Sequence, residues 1–151
     1  MHEALRAGAD ANKQSEGGWT ALMVAAEHGG EHAAGMMRLL VDAGADANKQ
    51  KEDGWTALMF AAKHGGEHGA GMMRLLVDAG ADANKQSKDG WTALMLTAQY
   101  GGEHGAAMMR LLVDAGADAN KQNKDGGTAM ILAAWRGSAE AMRLLVARGA
   151  A

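Results

Sequence analysis

One period governs this chain. Trp19, Trp55, Trp91 and Gly127 occupy the same slot at 36-residue spacing, and Met36 to Gln50 recurs unchanged as Met72 to Gln86 and as Met108 to Gln122. Self-similarity at a fixed period of this size means a stacked array, in which each unit buries its apolar face on its neighbours and there is no single central core. Four units follow from the pattern, at about 9–44, 45–80, 81–116 and 117–151, preceded by a partial helix over 1–8 in which Leu5 takes the slot of Val41. The whole chain of 151 residues therefore reads as one array.

Each unit opens with a polar stretch such as Ala45 to Gly54, where Asn, Asp and Gly favour a turn or short hairpin finger. Thr56 follows as a helix N-cap, and Ala57 to Lys63 forms a short helix ended by Gly65-Gly66. A second helix runs from about Ala70 to Ala79, with Met72, Met73, Leu75, Leu76 and Val77 leaving only Arg74 and Asp78 polar. It is expected to be buried on most sides, as an inner helix of the stack. Arg74 and Asp78 are expected to pair at the surface, and Gly80 supplies the left-handed residue that turns the chain out. The first three units carry three more residues between their helices than the fourth, where Trp135 to Glu140 makes a shorter connection.

Composition removes several functions. The net charge of −3 gives no basic footprint for nucleic acid. No apolar run approaches the roughly 18 residues of a membrane span, and no signal-peptide pattern opens the chain. With no cysteine there are no disulfides and no thiol chemistry, which fits a cytoplasmic, intracellular location. The glycines form no phosphate-binding fingerprint, so no cofactor is expected.

The units resemble ankyrin repeats. The matching residues are Asp53-Gly54-x-Thr56-x-Leu58-x-x-Ala61-Ala62-x-x-Gly65, then Leu75-Leu76-Val77-x-x-Gly80-Ala81-Asp82-x-Asn84. The resemblance implies an all-α solenoid of helix pairs with short hairpin or turn fingers. It also implies a non-catalytic module that binds a protein partner on its concave face and finger tips. Three departures stand out. The proline of the family's T-P-L-H motif is Ala21, Ala57, Ala93 and Ala129, and its histidine is Met23, Met59, Met95 and Ile131. That second change puts the polar tie between neighbouring units in question. The third departure is the inter-helix insertion, which lengthens the loop or adds most of a turn.

Candidate binding residues are those that vary on the constant frame. After each Ala-Ala pair (Thr-Ala in the third unit) stand Glu27-His28, Lys63-His64, Gln99-Tyr100 and Trp135-Arg136, which the resemblance places toward the concave surface. Tips vary as well, at Glu16-Gly17, Glu52-Asp53, Lys88-Asp89 and Lys124-Asp125. Trp19, Trp55 and Trp91 are read two ways: as an indole ladder facing a partner, or as flat plates that tighten the stack. The variable pairs have their own alternative, neutral change at exposed sites.

His28-x-x-Glu31-His32 and His64-x-x-Glu67-His68 match a zinc-peptidase spacing, but the Gly-Gly inside them breaks the helix that spacing needs. A weak metal-binding ridge of His32, His68 and His104 and plain solvated loop residues are both open readings, and no metal site is assigned. The Met pairs are core filling. The rival to partner binding is a structural scaffold, engineered or excised from a longer array. Such a scaffold would have no partner of its own and would self-associate weakly through Leu5 at one end and Leu144, Leu145 and Val146 at the other.

Overall fold

The computed structural model describes residues 8–64 and 66–149; the partial helix expected over 1–8, with Leu5, falls almost wholly outside them. The helices are α1 (Ala21–His28), α2 (Ala33–Asp42), α3 (Ala57–His64), α4 (Gly69–Asp78), α5 (Ala93–Tyr100), α6 (Gly105–Asp114), α7 (Ala129–Trp135) and α8 (Ala139–Ala147). They alternate as first and second helices of successive pairs. First helices pack on first helices (α1 on α3, α3 on α5, α5 on α7), and second on second, giving two parallel layers.

Local chemistry sets the helix boundaries. The hydroxyls of Thr20, Thr56, Thr92 and Thr128 each accept from the backbone N–H three residues on, at 3.2–3.3 Å, satisfying a first-turn donor. At the end of α4, Gly80 N–H donates to Val77 C=O and Ala81 N–H donates to Leu76 C=O, with Gly80 at φ +92. This pair of bonds closes the helix through a left-handed residue. The insertion takes the form of short 3₁₀ turns at Gly66–His68 and Gly102–His104. The fourth pair lacks it, and there Ser138 caps α8 directly, accepting from Ala141 N–H at 3.2 Å.

The layers are not equally buried. In α3 every residue from Ala57 to Ala62 is buried, and in α5 every residue from Ala93 to Ala98. In α4 only Gly69, Met72, Met73 and Leu76 are buried, while Arg74 and Asp78 are exposed. The expectation that the second helix is the inner one is therefore reversed. A first helix made of Ala, Leu, Met and Phe is covered by its neighbours on both sides and by its own second helix, whereas the second helix keeps a solvated outer face. Arg74 and Asp78 do not pair within 4.0 Å; each instead borders an open groove of about 410 Å³ between α4 and α6, with Arg110 and Asp114.

Each finger is a closed turn, and among the described residues no strand forms. Lys51 N–H donates to Trp55 C=O at 3.0 Å, and Gly54 N–H donates to Lys51 C=O at 2.8 Å. Single backbone bonds link finger to finger: Glu52 N–H to Gly17 C=O, Lys88 N–H to Asp53 C=O and Lys124 N–H to Asp89 C=O, at 2.8–2.9 Å.

Neighbouring units have a polar tie that the sequence did not reveal. Asn48 Nδ2 donates to Gly80 C=O (2.9 Å) and Asn48 Oδ1 accepts from Asp82 N–H (2.7 Å). Asn12 and Asn84 do the same one unit earlier and later. Gln50 Nε2 adds bonds to its own Gly54 C=O and to Gln86 C=O of the next unit. The methionines at the family's histidine slot are buried apolar packing, with Met23, Met59 and Met95 each 1% exposed. Ile131, in the same slot of the last described pair, is 44% exposed, with no further helix pair packed against it among the described residues.

At the far end, Leu144 and Leu145 were expected to be exposed and are buried, since α8 turns them onto α6 and α7. Only Val146 of that trio is open, at 64%.

Candidate protein-binding surface

The variable residues gather on the side of the molecule made by the first helices and the fingers. His28, His64, Tyr100, Trp135 and Arg136 are exposed, while Glu27, Lys63 and Gln99 are half-buried along the same helix ends. Asp53, Lys88 and Asp89 are exposed at finger tips. The first-helix C-termini thus present a row that changes from acidic and imidazole (Glu27, His28) to aromatic and basic (Tyr100, Trp135, Arg136) along the stack.

The three indoles of Trp19, Trp55 and Trp91 are half-buried. Phe60, not singled out in the sequence, is inserted between the first two, with ring centroids 4.8 Å from Trp19 and 4.9 Å from Trp55. Phe60 also stacks on His64 at 6.4 Å. Its signal was its place: the slot is Val24, Leu96 and Leu132 in the other units, so an aromatic there breaks the pattern.

Two lysines complete the cluster. Lys51 Nζ lies 5.1 Å from the Trp19 ring centre and 2.7 Å from the Asp53 carboxylate. Lys63 Nζ lies 5.5 Å from the Trp55 ring and 5.2 Å from that of Tyr100, bridging two units. A cation over an indole face is attracted by the ring quadrupole, so Lys51 gains from the ring in addition to its ion pair with Asp53, and Lys63 gains from two rings at once. His64 is held below the ordinary histidine value, first by desolvation and then by the neighbouring Lys63 charge, with Glu27 acting the other way.

The Glu–His pairs of the inter-helix turns are local. Nε2 of His32, His68 and His104 lies 3.2–3.4 Å from the preceding Glu31, Glu67 and Glu103 carboxylates. The first H-x-x-E-H segment is broken by Gly29 at φ +60 and Gly30 at φ +80, so its histidines do not share a helix face. Among the described residues no group of three or more His, Cys, Asp or Glu is placed to hold a metal ion. No helix among them is long and apolar enough to cross a membrane.

No curated protein matches the chain. The family model for ankyrin repeats (3 copies) matches residues 1–84 and 66–151, which together span the sequence. The helix pairs, the capped turns and the finger contacts agree with that match. The chain belongs to the ankyrin repeat family.

Proposed function

We propose that this chain is a non-catalytic, intracellular interaction module, one array of four units at about 9–44, 45–80, 81–116 and 117–151. It binds a protein partner through its concave face and finger tips. Members of its family are generally protein–protein interaction modules. The observation that carries the reading here is the division of the surface. From Met36, Met72 and Met108 on, the second helices of the first three units repeat the same residues, whereas the ends of the first helices differ in every unit and gather the exposed Tyr100, Trp135 and Arg136 beside the half-buried indole–lysine cluster of the fingers. Rigid aromatics with Arg are what protein hot spots are made of, and a preformed surface loses little conformational entropy on binding.

Capture from cell extract with two variants tests this. One carries His28→Ala, Tyr100→Ala and Arg136→Ala on the first-helix face; the other carries Arg74→Ala and Arg110→Ala on the outer groove. A partner kept by the second and lost by the first supports the reading. A partner kept equally by both, or lost only with the second, overturns it.

A second reading, self-association through the ends of the stack, draws on Val24 at 39% and Ile131 at 44% exposure, since the equivalent Phe60 and Met59 are buried. Sedimentation across a concentration series checks it: a constant monomer mass at high concentration removes it.

A further inference from the structure

Two interactions made at the earlier indole and carboxylate registers are missing, among the described residues, at Trp91 and Asp125. In the first junction Lys51 reaches back over the Trp19 ring and ends on the Asp53 carboxylate. In the second, position 87 is Ser, but Lys63 lies over Trp55, and the finger carboxylate Asp89 is met at 3.6 Å by Lys124, which reaches back from the fourth finger. So Trp19 and Trp55 each have a cation, and Asp53 and Asp89 each have an ammonium.

At the third junction the ring is Trp91 and the carboxylate Asp125, in the same registers as Trp19 and Asp53. Among the described residues no lysine or arginine lies over Trp91 and none pairs with Asp125. Lys51 is replaced there by Asn123, whose side chain is buried and turned inward: its Oδ1 accepts from Asp125 N–H at 3.0 Å and Gly127 N–H at 2.8 Å. Gly127 stands where the other fingers carry an indole, and even a Cβ there would meet the Asn123 amide at 3.1 Å. The result is a hollow of about 300 Å³ whose walls include Trp91, Asp125, Gly127, Leu132 and Trp135. Trp135 is 81% exposed, so the second aromatic wall stands free.

We propose that this hollow receives a lysine or arginine side chain of a protein partner, its aliphatic stem along Trp91 and Trp135 and its cation at the Asp125 carboxylate. The occupant's chemistry is set by charge complementarity and by the chain's own example at Lys51. An indole face attracts a cation, an unpaired carboxylate at the rim neutralises it, and the apolar walls accept the methylenes of a long basic side chain. This rests on the concave-face reading above and names the residue type that one part of that face selects.

The test is a titration of the ¹⁵N-labelled protein that follows the indole N–H signals of Trp19, Trp55, Trp91 and Trp135, assigned by single Trp→Phe substitutions. The probes are acetylated, amidated pentapeptides with Lys, Arg, norleucine or Glu between glycines, at millimolar concentration. The Lys and Arg peptides are expected to shift Trp91 and Trp135, with little change at Trp19, which already holds Lys51. Asp125→Asn is expected to weaken that binding by at least about threefold, as loss of the ion pair beside the ring implies. Asn123→Lys, which restores the Lys51 register, is expected to abolish it by filling the slot from within.

Equal shifts with norleucine, equal shifts at Trp19, no shifts with any peptide, or indifference to Asp125→Asn would each overturn the proposal. So would a Trp135 signal that moves on dilution without peptide, because a second copy of the chain would then be the occupant. If the peptides fail while the His28, Tyr100 and Arg136 variant still loses its partner, this inference falls and the concave-face reading stands.

Discussion

Phe60 ties the proposed recognition surface to stability. It is 6% exposed and contacts two indoles from different units. Phe60→Ala is expected to cost about 3 kcal/mol, the usual loss for truncating a buried aromatic ring. Urea unfolding measures this, and the indole emission should shift to the red as Trp19 and Trp55 gain water. His64 beside it gives a pH signature. Its folded value is lowered, so in the window just below the ordinary 6.5 the unfolded state binds more protons than the native one. Its contribution is present above 6.5 and is lost as pH falls through that value toward the folded one. His64→Gln should flatten the corresponding stretch of a stability–pH curve; an unchanged slope would contradict the desolvated placement. Phe60 and His64 meet simply as i,i+4 neighbours on α3. The insertion of Phe60 against Trp19 of the preceding unit and the desolvation of His64 were not legible in the sequence, because they depend on the stack.

At the level of elements, two glycines with nearly the same backbone separate conformation from packing. Gly80 has φ +92 with nothing near an added Cβ, whereas Gly54 has φ +86 and a Cβ there would lie 2.9 Å from the Ser87 backbone of the next finger. Gly80→Ala is expected to cost about 1 kcal/mol, the left-handed penalty alone. Gly54→Ala should exceed about 2 kcal/mol, because a finger-to-finger contact must also move. Equal losses in denaturant unfolding would mean that the close approach contributes nothing. The sequence located both helices of the repeated unit to within about a residue (Ala57–His64 and Gly69–Asp78), since the Thr caps, the Gly terminators and the apolar spacing are chemistry of neighbouring residues. It misjudged which layer is buried. An apolar stripe reports how wide a helix face is covered, but the rank of the two layers depends on what stacks on either side.

For the whole molecule, the 36-residue period was enough to define a stacked array, because unit copies that bury one another admit few other arrangements. The substance of the stacking was less visible. The absence of the family's histidine suggested a weakened tie between units, yet Asn48 and Gln50 carry it across the second junction, as Asn12 and Gln14 do across the first and Asn84 and Gln86 across the third. A repeated linker looks like a spacer until its side chains are seen to bond 32 to 36 residues away.

On the function proposed above, the division within the chain is between constant residues that stack and exceptional residues that recognise. Its most direct test is the dissociation constant of the captured partner for two variants of known stability. Asn48→Ala should lose about 1–2 kcal/mol of stability with its two inter-unit bonds and keep the native dissociation constant. Tyr100→Ala combined with Arg136→Ala should stay within about 0.5 kcal/mol of native stability and bind at least about tenfold more weakly. Unchanged affinity in the double variant, or a loss of affinity confined to Asn48→Ala, would contradict it.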